Sequence, residues 1–173
     1  MIAIPVIIVV FLVIVALQPS SYRVERSLAM NVPPAAVFPQ VNDLKKWEVW
    51  NPWSKADPNI KLTFGNPTSG VGASYSWTGN REMGEGRLSI VESRPGESVK
   101  YKLEFVKPMA AVSETEFTFK TRGNQTEVTS VMTGEKNFMS KAFCLFMSMD
   151  KMIGTKFEKA LADLQAIVES PAK

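Results

Sequence analysis

Few side chains in this sequence are equipped for chemistry. There is no histidine and only one cysteine, so neither a Ser-His-Asp nor a Cys-His nucleophile can be assembled, and zinc sites of the usual Cys/His type are out of reach. Cys144 sits in an apolar stretch, where a thiol is usually an inert small hydrophobe. The remaining candidates are carboxylates and aromatic rings. Glu82 and Glu85 flank a glycine-rich strand start beside Arg81 and Arg87, and burial would raise one carboxylate toward general acid or base use. Their separation is odd, so on a regular strand they face opposite ways. Glu104, Glu114 and Glu116 read as solvent-facing residues near lysines. Asp150 falls on an apolar helical stripe with Phe146, Ile153 and Phe157, where it would either orient the polar head of a ligand or pair with a basic residue from a strand.

The aromatic residues form a pattern of their own. Trp47, Trp50 and Trp53 recur every three residues, so the first two at least can share a helix face. They read either as a wall at the mouth of a cavity or as wedges fixing short helices to a sheet. Tyr75 and Trp77 lie on the alternating apolar side of one strand, and Tyr101 and Leu103, followed by Phe105, on that of another. Phe143, Phe146, Asp150, Ile153 and Phe157 follow at helical spacing. These twelve residues, three of them the spaced tryptophans, are the candidate ligand contacts. No residue is assigned a catalytic role, and no metal or cofactor is expected.

The elements that must position these residues follow in order. Residues 2–17 are apolar and uncharged, interrupted only by Pro5, and at about 1.5 Å per residue reach roughly 25 Å. An uncleaved membrane helix is expected over residues 1–18, because no basic residue precedes the run and no small-x-small cleavage site follows it. Arg23, Arg26, Lys45 and Lys46 come after it, which by the positive-inside tendency places the following domain in the cytoplasm of a single-pass cell-membrane protein. Residues 19–21 read as a linker and residues 22–170 as one domain. Alternation predicts a strand over residues 22–30, and Pro33-Pro34 opens a helix to about Val41. A second short helix runs to Trp50. Strands follow over 61–64, 71–77, 82–91, 99–105, 112–121 and 127–133, separated by turn residues. Residues 137–169 read as one long amphipathic helix whose first half is apolar nearly all round.

Two glycine fragments, Gly70-x-Gly72 and Gly84-x-Gly86, do not open a helix after a strand, so a nucleotide reading fails. Asn124-Gln125-Thr126 is a formal sequon better read as a hairpin turn. The net charge of +3 is spread over mixed signs, which gives no basic stripe for nucleic acid.

The strings Val32-Pro33-Pro34-Ala35-Ala36-Val37-Phe38, Asn42-Asp43-Leu44-Lys45-Lys46-Trp47 and Trp50-Asn51-Pro52-Trp53 resemble the START-like superfamily, also called SRPBCC. So do Gly70-Val71-Gly72-Ala73-Ser74-Tyr75-Ser76-Trp77, Gly84-Glu85-Gly86-Arg87 and Thr126-Glu127-Val128-Thr129. The likeness is to its bacterial, polyketide cyclase/dehydrase and lipid-transport-like branch, including members with an N-terminal membrane span. It implies an α+β helix-grip fold: a curved antiparallel sheet of six to seven strands wrapped around a long C-terminal helix, with two short helices after the first strand. It also implies a cavity between sheet and helix for a hydrophobic small molecule or lipid. The family has no universal catalytic residue, so none transfers. A lipid or isoprenoid binder is the leading expectation; a cyclase- or dehydratase-like enzyme using Glu85 or Asp150, and a module docking on another membrane protein, are the alternatives. Met83, Met109 and Met132 are available to fill such a cavity.

Overall fold

The computed structural model describes residues 3–170 of the chain. A first helix, α1 (Ala3–Leu17), leads into β1 (Ser21–Met30), α2 (Pro34–Asn42) and α3 (Trp47–Trp50). Six strands follow: β2 (Lys61–Phe64), β3 (Ser74–Thr78), β4 (Glu85–Arg94), β5 (Ser98–Lys107), β6 (Ala111–Arg122) and β7 (Gln125–Glu135). The chain closes with α4 (Phe138–Cys144) and α5 (Met149–Val168). All seven strands form one antiparallel sheet in the order β1-β7-β6-β5-β4-β3-β2. Consecutive hairpins build β2 to β7, and β1 joins the far edge by pairing Ser21 with Glu135 through Met30 with Thr126. This is the expected α+β arrangement, with the two short helices after the first strand.

One sheet face carries the core. Period-two alternation sends Leu88 and Ile90, Tyr101 and Leu103, Phe117 and Phe119, and Val128 and Met132 inward, where all are buried. The register slips between Ile90 and Glu92, and an extra residue in one strand of a pair bends that strand and strengthens its twist. On α5, Phe157, Ala160, Leu161 and Leu164 are buried, a set at helical spacing. They seat the helix mainly against β1, with α2 and α3 alongside.

Two expectations are corrected. The single helix over residues 137–169 is broken: α4 ends at Leu145, and α5 begins afresh at Ser148, whose hydroxyl accepts a hydrogen bond from the Lys151 amide at 3.3 Å. A serine N-cap satisfies an amide that a continuous helix would have paired internally. Apolar nearly all round, α4 has no single face to lay on the sheet, and it rests against α1 instead. The second correction concerns the membrane span. No helix among the described residues is long and apolar enough to cross a membrane. The 15 residues of α1 rise about 22 Å, short of the ~30 Å hydrocarbon core. Pro19 forbids extension, because the residue before a proline is pushed out of the helical region. Residues 1 and 2 of the expected anchor lie outside the described residues.

Close packing of rings on the sheet depends on Gly86. It pairs with Trp77 across β3 and β4, and a Cβ at Gly86 would overlap both the Trp77 indole and the Glu104 carbonyl oxygen. The carbonyl belongs to the neighbouring strand and cannot step aside. Gly86→Ala should therefore destabilise the protein by about 1–3 kcal/mol, read as a lowered urea midpoint; an unchanged midpoint would show that the sheet relaxes around the methyl group.

Candidate functional site

Between the inner sheet face and the N-terminal half of α5 lies a cavity of about 270 Å³. Its wall is aromatic and aliphatic, and the tryptophans that dominate one side are held from behind. Trp47 Nε1 donates to the Val41 carbonyl at 2.7 Å, and Trp50 Nε1 donates to the Gln40 carbonyl at 3.2 Å. Tyr101 Oη also donates to the Val41 carbonyl, at 2.7 Å. These carbonyls lie in the last turn of α2, where no further helical amide can reach them. Three aromatic donors thus close a helix end, and their rings pack into the core, Trp47 edge-on to Tyr101 with centroids 4.9 Å apart and tilted against Trp50 at 5.1 Å. Burial, together with the nearby Tyr75 phenol, pushes the Tyr101 phenol far above its ordinary pKa.

The opposite side is built from β3 and β5. Tyr75 and Trp77 lie in one row with centroids 6.2 Å apart, and Phe105 meets the Trp77 ring edge-on at 5.7 Å. Trp77 Nε1 donates to the Met83 carbonyl at 3.1 Å. Burial alone raises the Tyr75 phenol well above its ordinary value. Nearby, Tyr22 Oη shares a hydrogen bond with Ser113 Oγ at 2.8 Å, and desolvation raises its pKa against that bond.

Eight of the twelve candidate residues line this cavity: Trp47, Trp50, Trp53, Tyr75, Trp77, Leu103, Ile153 and Phe157. Trp53 meets Phe157 edge-on at 5.8 Å, joining the α3 side to α5. The other four lie elsewhere. Tyr101 is fully buried behind Trp47. Phe143 and Phe146 are 50% and 80% exposed, because the break after α4 turns them away from the sheet. Asp150 does not face the core. It accepts two hydrogen bonds from Arg26, both at 3.0 Å, and Arg26 Nε donates to Glu158 at 2.6 Å. The guanidinium lies over Gly154, where a Cβ would collide with it. Of the three carboxylates considered for acid–base work, Asp150 is thus bound to Arg26, and Glu85 pairs with Lys107 at 2.9 Å. Glu82, by contrast, reaches the cavity wall.

Asp57, which the sequence reading passed over, anchors the loop that carries that glutamate. It is buried and accepts from the Asn59 amide at 2.9 Å and the Asn80 amide at 2.6 Å. Asn80 in turn accepts from the amides of Glu82 and Met83 at 2.9 and 3.0 Å. The Asp57-Pro58-Asn59 string was the available signal, since Asp bonding two residues on is a turn former.

Residues 21–169 match the model of a family described as polyketide cyclase / dehydrase and lipid transport. The chain belongs to this family. A search of curated proteins finds no match. Solved structures share the fold at low identity. A Chromobacterium violaceum protein is 16% identical with a TM-score of 0.62, over 89% of this chain and 100% of its own. Truncated norcoclaurine synthase from Thalictrum flavum is 8% identical with a TM-score of 0.68, over 90% of this chain and 99% of its own. The di-domain ARO/CYC BexL is 13% identical with a TM-score of 0.66, over 92% of this chain and 53% of its own. The shared fold is consistent with a helix-grip arrangement.

The Arg26 contact gives a pH dependence. Hydrogen bonds from Arg26 hold the Asp150 carboxyl below its ordinary value of 3.8. A depressed folded-state pKa contributes stability above the unfolded value and loses it as pH falls through the folded one. Asp150→Asn should be less stable than wild type at neutral pH, and the gap should close once the pH falls below 3.8. Parallel melting curves from neutral to acid pH would show that the pair contributes nothing.

Proposed function

We propose that this protein binds a hydrophobic small molecule in the cavity between sheet and α5, without catalysing its conversion, and does so at a membrane surface. The observation that carries the first part is the cavity itself. A concave, mostly apolar space with a few polar groups is the usual form of a small-molecule site, and about 270 Å³ falls just under the ~300–1,000 Å³ of drug-sized sites. A compact ring system or short chain suits it. Lipid transport in the family's description and the ARO/CYC neighbour both support a hydrophobic cargo. The binder reading is favoured over the enzyme alternative that used Glu85 or Asp150, because both are occupied by cations outside the cavity, and the one carboxylate on the wall, Glu82, is solvent-exposed.

The membrane part rests on α1 and α4. Residues 6–14 of α1 are apolar and roughly half exposed, and Phe138, Met139, Phe143 and Phe146 are exposed on and just after the helix packed beside it. Contiguous exposed apolar surface marks a contact site. A helix too short to cross can still bury its side chains in one leaflet, and Arg23, Lys45 and Lys46 add positive charge that suits an anionic lipid surface.

Native mass spectrometry of the full-length protein in mild detergent, with extraction of bound molecules, tests the cargo. A stoichiometric small molecule is expected, and Thr115→Phe, which fills the cavity from β6, should lower its occupancy about tenfold or more. Equal occupancy in the variant would move the ligand out of this cavity. Co-flotation with phospholipid vesicles tests the membrane contact. Ile8→Asp with Leu12→Asp should release most of the protein, whereas retention by a copurifying protein in the absence of lipid would favour a docking module.

A further inference from the structure

The charge pattern of the cavity narrows the ligand class. Glu82 is the only carboxylic side chain on the lining, and no lysine or arginine lines the cavity among the described residues. The other polar side chains on the wall carry only amides, hydroxyls or indole N–H groups. An anionic head entering this space would leave water without a cation to meet it, and burying an unpaired charge is costly. Glu82 would repel it as well.

A cation meets the opposite conditions. The Glu82 carboxylate makes no ion pair among the described residues, while Glu85, three positions on, is held by Lys107. The loop backbone that carries Glu82 is set by built contacts: Asp57 fixes the Asn80 amide, Asn80 fixes the Glu82 and Met83 amides, and the Met83 carbonyl is tied to Trp77. Glu82 is solvent-exposed at the edge of the cavity, one residue before Met83, whose carbonyl accepts from Trp77, and the ring faces of Trp77 and Tyr75 on the same wall are themselves attractive to cations.

Building on the cavity-binding reading, we infer that the site selects a lipophilic amine, with its ammonium at Glu82 and its ring or chain among the aromatic side chains, and rejects the corresponding carboxylic acid. Three naphthyl probes of matched size test this: 2-(1-naphthyl)ethylamine, 2-(1-naphthyl)ethanol and 1-naphthylacetate, titrated calorimetrically into the full chain held in lipid nanodiscs, with empty nanodiscs as the blank. The amine should bind about tenfold more tightly than the acid, with the alcohol between them. Glu82→Gln should weaken the amine about threefold to fivefold and leave the alcohol unchanged. Glu82→Lys should reverse the order of amine and acid, with circular dichroism confirming that both variants are folded. If the alcohol binds but amine and acid bind alike, or Glu82→Gln shifts all three equally, the amine selectivity is wrong and the cavity reading stands. If none of the three binds, both are overturned.

Discussion

One helix cannot cover seven strands. Six interstrand spacings of ~4.8 Å make a sheet roughly 29 Å wide, whereas a helix with its side chains is about 10–12 Å across. α5 lies mainly on β1, at one edge of the sheet, so the inner faces of the strands beyond it need another cover. The molecule supplies it with α2, α3 and a layer of aromatic rings, and where those rings do not meet α5 a space remains. The cavity follows from that mismatch of widths rather than from any local device.

The same mismatch explains which parts of the site were legible in the sequence. Strand alternation reports which side chains point inward, and it placed Tyr75, Trp77 and Leu103 correctly on the cavity side. It does not report how far a residue lies from the helix. Tyr101 shares the inward parity of Leu103, two residues away, yet it is sealed behind Trp47. The tryptophan spacing was compatible with a wall or a wedge, and Trp47 and Trp50 turn out to occupy both positions: their indole nitrogens close α2 while their rings line the cavity.

Helical periodicity failed in a different way. The three-and-four spacing of Phe143, Phe146, Asp150, Ile153 and Phe157 runs unbroken across residues 145–148, so it could not register a change of axis. The capping chemistry could have done so. Ser148 with Asp150 two positions on is a serine N-cap followed by an acidic first turn, and Asn137 caps α4 in the same manner, accepting from the Ser140 amide at 2.8 Å. Once α5 starts at Ser148, Asp150 lies in its first turn, where a negative charge is favoured by the helix dipole and Arg26 of β1 can reach it.

The shared carbonyl of Val41 makes the cavity mechanically uneven. Trp47 and Tyr101 both donate to that one oxygen, so neither can rotate without stranding a buried polar group, an expensive event in a dry interior. Met83, Met132 and Met149, which also line the cavity, are flexible thioether chains that rearrange readily. The site mixes stiff and compliant lining. The stiff rings set which shapes are refused, and the methionines, spread over the loop before β4, β7 and α5, set how much variation among accepted shapes is tolerated.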